Sequence, residues 1–228
     1  HNRSGHGTQN MKEAMTNSCN PYFISLSQCL DMSKYRSLAY NMGFGREIHL
    51  ASGIISSAGV LPSVEELRVP AELANFSFGQ GKLTATPLQI NQMTCAIANG
   101  GKLHLLRLIR GITIDGKTVG NEKSALSSRV ISDETAGELR KMMIGAIYDN
   151  ENSKAAPQYV RAGAKTSTAQ TGVFDENGEE LCHGWITGFF PASNPRYAVT
   201  VLAEHGGYGN DSAAPIFKEI VDEMMNRK

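Results

Sequence analysis

The sequence predicts an α+β fold in which helices pack against an antiparallel sheet. Three strand patterns, at 160–171, 183–190 and 196–204, follow one another near the end of the chain. Because short connections join them, we expect neighbouring strands to pair in antiparallel fashion. Helical patterns fill much of the earlier chain, and one further helix, 212–226, closes it. Helices, then strands, then a closing helix are typical of an α+β domain.

The composition is that of a folded domain with a substantial core. The chain has 228 residues, of which 41% are hydrophobic and 19% are charged. This apolar content excludes a disordered chain, and no apolar run is long enough to span a membrane. Twenty-two basic residues balance 22 acidic ones. A zero net charge argues against a nucleic-acid partner, because such proteins carry a basic excess.

The cysteines give no sign of a metal or cofactor site. Cys19, Cys29, Cys95 and Cys182 form no C-x-x-C pair, which is the usual spacing of zinc ligands. Their wide spread favours free, buried thiols over a disulfide framework. We therefore expect no metal and no cofactor.

Two polar residues lie between the first predicted helices. Residues 10–16 carry apolar side chains at helical spacing, and Pro21 suits the first position of a second helix, 22–30. Ser18 and Asn20 therefore fall in a short connection whose side chains are free to point outwards.

The middle of the chain combines strong and weak signals. Asp31 can cap a helix that ends near 43–45, whereas 46–80 mixes Gly, Ser and Pro without a period and is predicted to be irregular. Thr86 and Gln89 form a T-x-x-Q capping box around Pro87.

Further elements follow that helix. Asn99-Gly100-Gly101 ends it, 103–113 is predicted to be a strand, and Asp115-Gly116 indicates a hairpin turn. Ser132 then caps another helix. The predicted buried faces of the three later helices are Ile90, Met93 and Ile97; Ala136, Leu139, Met143, Ala146 and Ile147; and Ile216, Phe217, Ile220 and Met224.

Two short motifs could carry chemistry. The first is S-x-N at 18–20, and the second is K-T-x-T at 165–168 on a predicted strand. Strand alternation places Lys165 and Ser167 on one face and the two threonines on the other, unless the strand twists or lies at an edge. An edge strand with a lysine and hydroxyls suits an extended peptide that ends in a carboxylate. Each motif alone is weak, because Ser18 and Asn20 could simply cap a helix and Lys165 could be a solvated lysine.

The motifs and their surroundings, in order, resemble the C-terminal part of the transpeptidase domain of class B penicillin-binding proteins. The resemblance covers nearly the whole chain. The matching segments are HG at 6–7, MKEAM at 11–15, SCNPYF at 18–23, GFG at 43–45, FGQG at 78–81, TPLQI at 86–90, AIANGG at 96–101, GAKTSTAQ at 163–170 and WITGFFP at 185–191.

The resemblance implies a serine DD-transpeptidase that cross-links peptidoglycan by acyl transfer from D-Ala-D-Ala peptides and is acylated by β-lactam antibiotics. It implies the fold of penicillin-binding proteins and serine β-lactamases, truncated at the N-terminus, with residues 1–228 forming the C-terminal part of one domain. It also implies a longer protein at the outer face of the cytoplasmic membrane. An N-terminal helix would anchor that protein, and a glycan polymerase would be its partner.

The family uses three motifs, S-x-x-K, S-x-N and K-T-G, and this chain departs from two of them. No serine is followed by lysine three residues later. We expect the nucleophile to lie upstream and this chain to be inactive alone; the alternative is a relative whose longer protein also lacks the serine. Ser167 stands where the family usually has Gly, a residue that lets a ligand approach the strand closely.

The resemblance assigns a role to each matching residue. Ser18 would relay a proton to the leaving amine, Asn20 would hold the acyl-side carbonyl, and Lys165 would supply positive charge. The backbone N–H of Thr168 would form half of the oxyanion hole. The residues implied to bind substrate are Thr166, Ser167, Thr168 and Gln170.

Other interpretations remain open from the sequence. They are a serine β-lactamase, a β-lactam sensor domain and a non-catalytic module that binds a peptide at the strand edge. The segments 79–81 and 86–89 argue against the first two. We expect Gly79, Gln80 and Gly81 to form a turn that supports the site without touching substrate.

Overall fold

A three-stranded antiparallel sheet organises the fold. The computed structural model describes residues 5–109, 111–119 and 127–227. The helices are α1 Met11–Thr16, α2 Asn20–Ser27, α3 Met32–Asn41, α4 Val64–Leu67, α5 Pro70–Ser77, α6 Pro87–Ala98, α7 Asp133–Tyr148 and α8 Ala213–Asn226. The strands are β1 Ile48–Ala51, β2 Ile54–Ser56, β3 Lys102–His104, β4 Ile112–Ile114, β5 Lys117–Val119, β6 Ser127–Arg129, β7 Gly163–Ala169, β8 His183–Phe190 and β9 Tyr197–Ala203.

The sheet has the order β7-β8-β9, with both pairs antiparallel. The predicted pairing of the three late strands is therefore confirmed. Lys165 lies opposite Thr187 in the register. Because β7 pairs with β8 alone among the described strands, its other side is a free edge.

Helix α8 covers one face of the sheet. Phe217 and Val221 are fully buried there, against Ile186 and Phe190 of β8. The predicted buried stripe of this helix is wrong in part, because Ile216 and Met224 are 43% and 41% exposed. Its buried face is completed by two small residues, Ala213 and Ala214, which bring the helix close to the strands.

Helices α6 and α7 pack on other parts of the sheet, α6 against β8 and β9 and α7 against β7. The capping box of α6 is confirmed: Thr86 Oγ1 accepts from the Gln89 N–H, and Gln89 Oε1 accepts from the Thr86 N–H. Its buried face differs from the prediction, since polar side chains are buried beside the apolar Ile97. These are Gln89, Gln92 and Thr94.

Two predictions for the middle of the chain are wrong. Residues 46–80 are not irregular, because they form the β1–β2 hairpin and the helices α4 and α5. Residues 103–113 are not one strand either: β3 pairs with β6, whereas β4 pairs with β5. Residue 110 of that predicted strand lies outside the described residues. The predicted hairpin turn is confirmed, with Asp115 and Gly116 at φ 49° and 75°.

The four cysteines are free, as expected, but Cys19 alone among them is buried. None of the helices within the described ranges has the length and apolar character needed to cross a bilayer.

Candidate active site

The loop that carries Ser18 is held tightly between α1 and α2. Asn10 and Glu13 form a capping box at the start of α1, and the Cys19 N–H closes its end by donating to Ala14 O at 2.9 Å. Ser18 itself has φ 51°, a left-handed conformation that costs a residue with a Cβ about 1–2 kcal/mol. The turn buries Cys19 and leaves Ser18 exposed.

Lys165 reaches this loop from the middle of β7. Its Nζ donates to Ser18 Oγ at 2.6 Å and to the carbonyl oxygen of Thr166 at 2.8 Å. The two halves of the site are held together by α7, which packs against both α1 and β7. The fold therefore brings together the lysine and the serine of two motifs that are 147 positions apart.

The environment of Lys165 disfavours its charge. Burial lowers the pKa of Lys165 from 10.5 to about 8, because an ammonium loses hydration when it is removed from water. Within the described ranges no carboxylate forms an ion pair with it. Its partners are a hydroxyl and a carbonyl, which stabilise the charge less than an anion does.

The edge of β7 presents its backbone to the site. In an antiparallel strand, alternate residues direct both N–H and C=O to the same side. The Thr166 carbonyl accepts from Lys165, and the Thr168 carbonyl accepts from Gln80 Nε2 at 3.2 Å. Both threonines therefore direct their backbone groups to the free edge. Thr168 Oγ1 accepts from the Gly209 N–H at 3.2 Å, and Ser167 is exposed.

The two remaining predicted residues lie next to the ends of secondary-structure elements. Asn20 was predicted to lie in the connection between the helices. This is wrong, because Asn20 is the first residue of α2 and is partly buried. Gln170 follows the end of β7, where its Nε2 donates to Glu180 Oε2 at 2.7 Å. That carboxylate also accepts from the Gly172 N–H. The side chain of Gln170 is thus engaged in the turn beyond the strand.

Sequence reasoning missed two contacts of this strand, those of Gln80 and Gly209 with Thr168. A signal for the first was available, because Gln80 is flanked by glycines, and both have positive φ, 81° and 72°. No comparable signal marks Gly209, whose contact depends on a turn 41 residues away from Thr168.

A chain of hydroxyls lies on the same face of the sheet as Lys165, because its middle member, Thr187, is the register partner of that lysine. Thr187 Oγ1 is 2.7 Å from the hydroxyls of both Thr94 and Thr200. Asn91 Nδ2 donates to Thr200 at 3.3 Å, and Thr94 donates to the carbonyl of Ile90 at 2.9 Å. The chain therefore links α6 to β8 and β9.

Comparison with known proteins finds one family and several relatives that cover nearly the whole chain. The family described as the penicillin binding protein transpeptidase domain matches residues 1–222. Stage V sporulation protein D of Bacillus subtilis is 30% identical over 233 residues, which cover 98% of this chain and 35% of that protein. Peptidoglycan D,D-transpeptidase MrdA of Acinetobacter baumannii is 30% identical over 248 residues, covering 99% and 36%. The chain thus spans little more than a third of these relatives.

Solved structures agree with these matches. Penicillin-binding protein A from Mycobacterium tuberculosis, in a ceftriaxone acyl-enzyme complex, superposes with a TM-score of 0.83 at 26% identity, covering 95% of this chain and 48% of that one. A D,D-transpeptidase domain from Eggerthella lenta superposes with a TM-score of 0.84 at 23% identity, covering 97% and 54%. The second match supports the fold alone.

Proposed function

Because the chain belongs to the penicillin-binding protein transpeptidase family, we propose that it supplies part of the active site of a peptidoglycan DD-transpeptidase. The reaction is acyl transfer from a D-Ala-D-Ala peptide through a serine ester, and β-lactams react with the same serine. The observation that carries the proposal is the 2.6 Å bond between Lys165 Nζ and Ser18 Oγ at the free edge of β7.

The geometry of this pair supports a role in proton transfer. Because the ammonium donates to Ser18 Oγ, the hydroxyl hydrogen of the serine is free to point towards another acceptor, such as the leaving amine. A lysine pKa of about 8 lies near neutral pH, where a group can both release and regain a proton. We assign the relay to Ser18 and the poised charge to Lys165.

The edge of β7 supports the binding of a peptide. In this proposal the N–H of Thr168 faces the developing oxyanion, and Lys165 attracts the terminal carboxylate. Asn20 is assigned to hold the acyl-side carbonyl of the substrate. The side chains assigned to the rest of the substrate are Thr166, Ser167, Thr168 and Gln170.

The nucleophile is assigned to sequence outside this chain. No serine among the 228 residues has a lysine three positions later, so S-x-x-K cannot come from here. In this proposal, residues 1–228 are the C-terminal part of one transpeptidase domain. A membrane-anchoring helix outside this chain, action at the outer face of the cytoplasmic membrane and pairing with a glycan polymerase complete the proposal, on family membership alone.

Covalent labelling tests this assignment. A fluorescent penicillin should leave the 228-residue chain unlabelled and should label a longer protein that also carries the S-x-x-K segment. In that protein, Lys165→Ala should slow acylation by at least a hundredfold, because it removes the charge at the strand edge. The matched control is Lys141→Ala, an exposed lysine paired with Glu138 on α7, which should acylate at the wild-type rate.

Two results would contradict the proposal. A label that survives boiling and maps to a serine of the 228-residue chain would place the nucleophile within it. An unchanged acylation rate in Lys165→Ala, with unchanged circular dichroism, would leave Lys165 without a role in the reaction.

A further inference from the structure

The contact between Gln80 and β7 has no part in the mechanism described above. Gln80 Nε2 donates to the Thr168 carbonyl across 88 positions of sequence. That carbonyl lies on the free edge of the strand, where an added peptide strand would place one of its own N–H groups. The Gln80 amide and the N–H of a bound peptide would therefore donate to the same acceptor, the Thr168 carbonyl oxygen.

The backbone around Gln80 is firmly held, so its side chain alone is free to exchange partners. The Gln80 N–H donates to Asn75 O at 2.9 Å, which fixes the turn to the end of α5. At Gly81, with φ 72°, an added Cβ would lie 2.9 Å from the Asn75 side chain. The partly buried Gln80 side chain spans from this fixed turn to the strand through three rotatable bonds.

The bond to Thr168 is also a weak one by its length. At 3.2 Å it lies at the upper end of the range for N–H···O bonds, and donor and acceptor are both neutral. A backbone N–H in strand-ladder geometry can replace it without loss. Once released, the glutamine amide returns to water at a partly exposed position.

We propose that Gln80 guards the free edge of β7: its amide occupies the Thr168 carbonyl in the unbound protein and gives way when an extended peptide pairs with the strand. This rests on the proposed function, from which it takes the substrate class. Gln80 is then a specificity-determining residue, since each ligand must supply an N–H to the Thr168 carbonyl or leave the guard in place. The sequence predicted only that segment 79–81 forms a turn that supports the site; the proposal adds that Gln80 competes with the ligand for the Thr168 carbonyl.

A titration followed by NMR tests the guard on the 228-residue chain. The probe is an N-acetylated tripeptide that ends in D-Ala-D-Ala. As it binds, the Gln80 side-chain amide signals should move to the positions of a solvated glutamine, and the Thr168 backbone amide should shift with them. Gln80→Met and Gln80→Ala should bind the peptide about fivefold more tightly, since no bond to the guard must be broken.

The matched control is Gln158→Met, an exposed glutamine outside the site, which should bind the peptide as the wild type does. Unshifted backbone amides of the buried Ile186 and Phe189 in the unbound Gln80 variants show that these variants remain folded.

Each other outcome overturns the guard. If Gln80 braces the strand during binding, its amide signals stay in place and both Gln80 variants bind more weakly. Equal affinity in wild type and variants means that Gln80 does not compete. If neither the wild type nor Gln80→Met binds the peptide, the chain has no such ligand for Gln80 to compete with, and the proposal is refuted.

The fate of the proposed function is read separately, by penicillin labelling of the longer protein. If penicillin labels the longer protein but the Gln80 side-chain amide signals do not shift when the peptide binds, the proposed role of Gln80 is refuted and the acyl-transfer proposal is not. Release of Gln80 by the peptide, without labelling of any version of the protein, refutes acyl transfer alone.

Discussion

Gln89 and Lys165 are both withdrawn from solvent, yet their polar groups are satisfied to different degrees. Gln89 is fully buried, and its Nε2 lies 2.8–3.1 Å from the carbonyl oxygens of Gly43, Arg46 and Ala58. Its Oε1 accepts from the Thr86 N–H. Every polar atom of this side chain has a partner, and all the partners are neutral.

Lys165 is placed differently. A charged group needs more compensation than an amide, but its Nζ has one hydroxyl and one carbonyl partner, and burial has lowered its pKa to about 8. Complete satisfaction at Gln89 stabilises the fold, whereas incomplete satisfaction at Lys165 leaves a proton that can be exchanged. The contrast separates a structural polar group from a chemical one.

The largest effect should come from the structural group. Gln89→Met keeps the length of the side chain but leaves one buried and two partly buried carbonyls, and the Thr86 N–H, without their partner. We expect the free energy of unfolding to fall by about 3–5 kcal/mol, because each unsatisfied buried group costs about 1–3 kcal/mol. Urea denaturation measures this; Gln158→Met, at an exposed position, should change it by less than about 0.5 kcal/mol. A similarly small change in Gln89→Met would show that the carbonyls find other donors.

Removal of the charge at Lys165 should have the opposite sign. At pH 7, Lys165→Met should raise the free energy of unfolding by about 1 kcal/mol, because a poorly compensated buried charge is replaced by an apolar side chain. The folded pKa is about 8 and the unfolded one is 10.5, so the unfolded chain binds more protons between these values. The stability contribution of Lys165 therefore rises with pH in that window.

The advantage of Lys165→Met over wild type should accordingly be full below pH 8 and shrink as the pH rises towards 10.5. Denaturation of both proteins at pH 7, 9 and 10 checks this. An advantage that grows with pH would mean that the folded state favours the charged lysine. Lys141→Met serves as the control for replacing an exposed lysine with methionine.

The smallest effect should come from removing a single hydrogen bond, the one between Lys165 Nζ and Ser18 Oγ. Ser18→Ala removes the hydroxyl that accepts from Lys165 and should lower the pKa of that lysine further, by about half to one unit. Ser18→Gly should lower the pKa equally, yet be about 1 kcal/mol more stable than Ser18→Ala, because glycine tolerates the positive φ of this position. NMR titration of the Lys165 side chain measures both variants; a raised pKa in either would contradict the assigned direction of this hydrogen bond.

Local sequence signals predicted helices α6 and α8 better than they predicted which residues those helices contact. The T-x-x-Q pattern at 86–89 correctly gave the start of α6, because a capping box closes within four residues. The same pattern could not show that Gln89 is also bonded to carbonyls 31–46 positions away. Similarly, the amphipathic pattern predicted helix α8 but not all of its buried residues. The small residues Ala213 and Ala214 pack against the sheet, whereas the larger Ile216 is exposed, because the helix lies close to the strands.

The family resemblance gave Ser18 and Lys165 roles in one site, and the structure places the two side chains at hydrogen-bond distance. Short elements were missed in 46–80, because β1, β2 and α4 have four residues or fewer and show no measurable period at that length. The glycines around Gln80 indicated a turn, but the contact with Thr168 was missed, because spacing along the chain does not reveal where that turn lies relative to β7.

The hydroxyl chain of Thr94, Thr187 and Thr200 has a direction that its two ends impose. The Asn91 amide can only donate to Thr200, and the Ile90 carbonyl can only accept from Thr94. Each hydroxyl has one hydrogen, so Thr200 must donate to Thr187 and Thr187 to Thr94. The hydrogens are thus ordered in a single sense, and neutron diffraction would find each deuterium on the side nearer to Ile90. A serine at any of the three positions would preserve this order, whereas a valine would break the chain at its own position and leave the neighbouring hydroxyls without one of their partners.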